Sequence, residues 1–176
     1  MTGVQTCALP IWPYITPPTL PSSLSQEVVY LGPRALLESD SIASCFAFSG
    51  SSGGALLVST SEKYAITRFT LDNSMVDEAV DSVYYPKEGA LWGLLEGPVP
   101  ERLRNTTTSF VAEDAVYIVI GNFCFSSERG PVQTFSIDGS VVSLPTIKFS
   151  VFYLEVSSNW GGSYTCLGRI WLHGNH

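Results

Sequence analysis

The sequence predicts an all-β sandwich with few or no helices, on three observations. Beta-branched and aromatic residues gather in short runs, Gly, Ser, Pro and Asn punctuate them, and several runs alternate at period two. A chain of 176 residues is enough for one domain with a sizeable core. Hydrophobic residues make up 45% and charged residues only 14%, and four Trp, eight Tyr and nine Phe supply large units of buried area. That balance argues against disorder and for an aromatic-rich core.

In chain order, the predicted strands are VVYL at 28–31, CFAF at 45–48, ALLVS at 55–59 and YAITRFTLDN at 64–73. ALWGLLEG at 90–97, AVYIVIGNFCF at 115–125, VQTFSI at 132–137 and FSVFYLEVSSNW at 149–160 follow. Each is bounded by turn residues. In FSVFYLEV, Phe152, Leu154 and Val156 share one face with Ser150. Val151, Tyr153 and Glu155 share the other, with Glu155 expected to point outward. The end of the chain, NWGGSYTCLGRIWLHG at 159–174, opens with a turn. It then sets Leu167, Arg169, Trp171 and His173 against Cys166, Gly168, Ile170 and Leu172, as in a two-faced strand. Only residues 75–83 have the pattern of a short helix, and GSSGG at 50–54 reads as a hairpin turn.

The lead is different in kind. Residues 1–11, MTGVQTCALPI, lack the basic and long apolar regions of a signal peptide and resemble a translated sequencing adapter. Residues 12–24 hold four prolines and no charge, the composition of an extended linker. The expected division is therefore a non-native leader and linker over 1–25 and the folded domain over 26–176. Cys7 is set aside with the leader.

Formal charge is −7 with nine Lys plus Arg, so no basic stripe exists for phosphates or anionic lipid, and nucleic-acid binding is not expected. No apolar run has the length of a spanning helix; a membrane anchor is expected only in an upstream segment. Both histidines, His173 and His176, sit at the extreme C-terminus. With no metal-ligand spacing, phosphate loop or nucleophile elbow, the chain does not read as an enzyme. Asp77, Glu78 and Asp81 read as a solvated acidic face.

The ordered set CFAFSGSSGGALLVSTSEKYAITRFTLDN, YPKEGALWG, VQTFSI and YLEVSSNWGGSYTCLGRIWLHG resembles the SUN domain (Sad1/UNC-84 homology) family. The resemblance runs from about residue 35 to 174, and the two Trp-Gly elements look most like its fungal branch. It implies a jelly-roll, galactose-binding-domain-like sandwich that trimerises on an upstream coiled coil, anchored by an upstream transmembrane segment in the inner nuclear membrane. Its head would lie in the perinuclear lumen and bind the C-terminal tail of KASH proteins, completing the LINC complex between nucleus and cytoskeleton.

Read by themselves, Cys45, Cys124 and Cys166 suggest one pair and one spare, or simply buried small hydrophobes. The resemblance implies a disulfide between Cys45 and Cys166, suited to an oxidising lumen; Cys124 has no family counterpart and is expected in the core. It further implies a KASH-binding set at Tyr164, Asn73, Tyr84 and Gly168, with departures. Gly168 stands where the family has a second tyrosine, Tyr84 where it has a small serine, and Asn73 where it has a histidine. A K+ or Na+ site held by backbone carbonyls would fall on Leu36, Leu37, Ser39 and Ser44. Where the family's KASH lid hairpin would be, this chain has the adapter-like and proline-rich lead.

Asn105 begins the sequon Asn-Thr-Thr, a glycosylation acceptor if the chain is lumenal. Two alternatives stand beside the tether. One is an endoplasmic-reticulum SUN-like protein that binds folding clients. The other, by fold analogy, is a carbohydrate-binding β-sandwich in which Trp92 or Trp171 stacks on sugar, although both positions more often belong to a core.

Overall fold

The computed structural model describes residues 45–49, 54–74, 82–97, 101, 109–112, 115–142 and 147–175. Nine strands lie among them: β1 (Phe46–Ser49), β2 (Gly54–Asp72), β3 (Pro86–Leu95), β4 (Ser109–Ala112), β5 (Ala115–Cys124), β6 (Val132–Ser136), β7 (Phe149–Asn159), β8 (Tyr164–Leu167) and β9 (Arg169–Asn175). Helical structure among the described residues includes two 3-10 turns, Ser82–Tyr84 and Ser127–Arg129, one α-turn, α1 (Gly139–Val142), and the helical residue Glu101.

Every strand pairing is antiparallel. The main sheet runs β4-β5-β3-β7-β2-β6, β9 also pairs with β2, and β1 with β8 forms a separate ribbon. The long strand β2 belongs to both layers. Its first part, Gly54 to Ser59, pairs with β7, and its last part, Arg68 to Asp72, lies between β6 and β9. Between the layers Phe69, Leu71, Leu91, Ile118, Ile120, Phe152 and Leu154 are fully buried. Each such side chain contributes about 1.5–3 kcal/mol by leaving water. Phe69 anchors an aromatic group, 6.3 Å edge-on from Phe123 and 5.4 Å from Phe135.

Several expectations need correction. ALLVS and YAITRFTLDN are one strand, not two. Polar residues 60–63 continue it because Thr60 Oγ1 donates to the Ser150 carbonyl and Lys63 pairs with Glu96, with the register shift absorbed between Ser59 and Tyr64. The terminal stretch is instead two strands. Period two holds along β9, but Leu167 and Cys166 are both fully buried, because the chain changes sheet at Gly168. Strand β4 was not anticipated; it is an edge strand of four residues, SFVA, too short to display a period of its own.

Glu155 does not stand in solvent. It is half-buried and accepts a hydrogen bond from Trp92 Nε1 at 3.0 Å. The outer face of β3 and β7 holds a second cluster of Ala90, Trp92 and Tyr153. Burial, then the Glu155 charge, pushes the Tyr153 hydroxyl up to about 12. Cys124 is half-buried rather than in the core and is not a free thiol. Trp92 is core as expected, whereas Trp171 is 39% exposed.

The strand expected at 28–31, most of the helix at 75–83, the leader and linker, Cys7, the acidic run, Asn105 and the four cation-loop residues lie outside the described residues. The described end of that helix, Ser82 and Val83, lies in a 3-10 turn.

Candidate functional site

Strand β8 is the element on which the expected site residues converge. Cys45 and Cys166 form a disulfide with Cα atoms 5.3 Å apart, clamping β1 onto β8. Around it the register runs Phe46 with Leu167, Ala47 with Cys166 and Phe48 with Thr165.

Tyr164 opens β8 and stacks on Tyr84, ring centroids 4.3 Å apart and planes 16° apart. This pairing follows from the turn before it. Asn159 Nδ2 donates to the carbonyls of Gly162 (2.9 Å) and Tyr164 (2.8 Å), and its Oδ1 accepts the Gly161 N–H (2.9 Å). The N–H groups of Trp160 and Gly162 both donate to the Val83 carbonyl, at 3.1 and 3.0 Å. The 159–164 turn and the Ser82–Tyr84 turn are thereby joined. Gly162 lets the Tyr84 ring close in, since a Cβ there would lie 2.3 Å from a ring carbon. Lys87 Nζ sits 4.9 Å above the Trp160 ring, a cation–π contact that adds a positive charge to the neighbourhood.

The other two expected residues meet at the far end of β8, about 13 Å from Tyr164 by strand rise. Gly168 N–H donates to Asn73 Oδ1 at 2.7 Å, and Asn73 N–H donates to the Pro131 carbonyl at 2.8 Å. Asn73 is 1% exposed, and its Nδ2 has no hydrogen-bond partner among the described residues. Gly168 is not merely a tyrosine position that has lost a hydroxyl. A Cβ there would lie 2.4 Å from the Asp72 carbonyl oxygen and 3.0 Å from Asn73 Cα, so the backbone approach at the sheet change excludes a side chain.

The structure thus brings Tyr84 to Tyr164 and Asn73 to Gly168, as two pairs linked by one stapled strand. Sequence reasoning missed Asn159, Lys87 and Trp160; the signal available was the Asn-X-Gly-Gly turn, whose first side chain caps the loop it begins. The chemistry on offer is hydrogen-bond donation and stacking, and among the described residues no group of three or more His, Cys, Asp or Glu is placed to hold a metal. No helix among the described residues is long and apolar enough to cross a membrane.

Comparison with solved structures supports the architecture. A family 32 carbohydrate-binding module from Streptococcus pneumoniae EndoD matches at TM-score 0.51 and 12% identity, covering 77% of this chain and 81% of that one. A SusE-like protein matches at TM-score 0.48 and 14% identity over 74% of this chain and 50% of its own. A putative chitobiase fragment from Bacteroides thetaiotaomicron matches at TM-score 0.47 and 10% identity, over 82% and 77%. The first of these, at 12% identity, shows the fold alone, a galactose-binding-like β-sandwich. No curated protein matches the chain. The Sad1/UNC-like C-terminal family model matches residues 29–176; with the disulfide and the ordered motifs in place, the chain belongs to that family, the SUN domains.

Proposed function

We propose that this domain, residues 26–176, is the lumenal head of an inner-nuclear-membrane tether that captures the C-terminal tail of a KASH protein, linking nucleus to cytoskeleton. In this reading the full-length protein is a homotrimer on an upstream coiled coil with an upstream membrane anchor. Asn105 is then available for glycosylation. A free tail carboxylate asks for hydroxyl and amide donors held in place. The observation that carries the reading is the Tyr84–Tyr164 stack, fixed through the Val83 carbonyl at the head of the stapled strand. Asn73 Nδ2, a buried donor without an acceptor among the described residues, adds a second group whose desolvation a bound acceptor would offset. The Tyr84 hydroxyl stands in for the serine of other family members.

The test is fluorescence anisotropy with a KASH-type peptide made both as the free acid and as the C-terminal amide. Binding of the acid, weak binding of the amide, and a loss of about ten- to hundredfold on Tyr164→Phe are expected, as a hydrogen bond to a charged acceptor contributes ~1.5–3 kcal/mol. Equal binding of acid and amide overturns the reading.

A further inference from the structure

The outer face of β6, β2 and β9 is not used by the tail-capture reading, and apart from the buried Thr70 at its centre the side chains of its paired residues are half-buried or exposed. Phe69, Leu71 and Ile170, which alternate with them, already fill the inner side. On the outer side Thr70 lies in register between Thr134 and Trp171, and Asp72 lies beside Arg169.

Trp171 is 39% exposed, and its indole N–H donates to Asp72 Oδ2 at 3.3 Å. Asp72 is itself held, because its Oδ1 accepts from the Ser74 N–H (2.9 Å) and hydroxyl (2.5 Å). The large aromatic surface is therefore presented in one orientation. Next to it runs a row of groups able both to give and to take hydrogen bonds. The Thr70 hydroxyl is 2.8 Å from that of Thr134 and 2.9 Å from His173 Nε2, and Thr134 is exposed. A hydroxyl or a neutral imidazole serves as donor or acceptor as the ligand demands.

Three kinds of ligand compete for such a face. A protein partner wants a contiguous apolar centre, and on this face the exposed large apolar residues among those described are only Trp171 and Val132. A polyanion wants several unopposed cationic charges, whereas of the two arginines on this face Arg169 is set against Asp72, leaving the exposed Arg68 as a single cation in a molecule of net charge −7. A neutral sugar ring offers one apolar C–H face for the indole and a rim of amphoteric hydroxyls for the threonine–histidine row. We propose that this face is a binding platform for a neutral oligosaccharide, with Trp171 stacking on a pyranose ring and Thr134, His173 and Arg169 meeting its hydroxyls. This site is separate from the tyrosine pair and does not rest on the tail-capture reading.

Isothermal titration calorimetry of the full chain with neutral hexasaccharides of glucose, N-acetylglucosamine and mannose tests it, with heparin hexasaccharide alongside. Saturable binding of at least one neutral hexasaccharide is expected. Trp171→Ala should weaken it about tenfold, and Trp171→Phe less, in line with the worth of an aromatic stacking contact. Trp171→Ala should leave the anisotropy titration with the tail peptide unchanged, which also reports that the variant is folded; circular dichroism serves the same purpose if no peptide binds. The proposal is overturned if no neutral hexasaccharide binds at millimolar concentration, if folded Trp171→Ala binds as the parent does, or if only heparin binds.

Discussion

Single side chains here often do a different job from the one their type suggests. Glu155 sits on the strand face opposite the main core, yet burial raises its carboxyl above the ordinary 4.5, with the Trp92 hydrogen bond opposing the shift. A raised acid is favoured protonated in the fold, so its contribution to stability is complete below the unfolded value and is lost as pH rises through the folded one. Glu155→Gln removes the ionisation and keeps an acceptor for Trp92. Thermal unfolding followed against pH should show the variant with the higher Tm at pH 7 and the gap closing below about pH 4.5. A gap that does not change with pH would refute the assignment. Gly168 teaches the same lesson in reverse: its missing side chain reads as a lost ligand contact in the sequence and is a packing requirement in the structure.

At the scale of elements, the β1–β8 ribbon pairs outside the main sheet; its disulfide holds β1 to β8 within the ribbon, and β8 continues into β9 of the main body. The bridge spans a sequence separation of 121 residues, for which chain entropy allows a stabilisation of ~4–5 kcal/mol. Changing Cys45 and Cys166 together to Ser should lower the urea-unfolding free energy by up to that amount. Hydrogen exchange should show protection falling first over 46–49 and 164–167, while β3, β5 and β7 keep theirs. Uniform loss across the sheet would mean the ribbon is not a separate unit. Because Tyr164 begins β8, the same double variant should loosen the tyrosine stack.

Over the whole molecule, β2 is the member that makes two layers one body. Phe69 lies where β2 runs between β6 and β9 and reaches Phe123 of the opposite layer. Phe69→Ala leaves a cavity between the layers and should cost about 3–5 kcal/mol by denaturant unfolding. The transition should stay single if the sandwich is one cooperative unit; two separate transitions would show that the layers unfold apart.

The sequence by itself determined the fold class, most strand positions, the inner face of β7 through Phe152, Leu154 and Val156, and, through the family motifs, the Cys45–Cys166 pair. These are local or motif-borne properties: alternation, turn residues and ordered signatures survive without knowledge of what lies opposite. Only the tertiary structure decided that two predicted strands are one, that the last stretch changes sheet at Gly168, that Tyr84 stacks on Tyr164, and that Glu155 is half-buried while Trp171 is not. Each of those depends on a neighbour brought from far along the chain, and no local pattern encodes the distance to it.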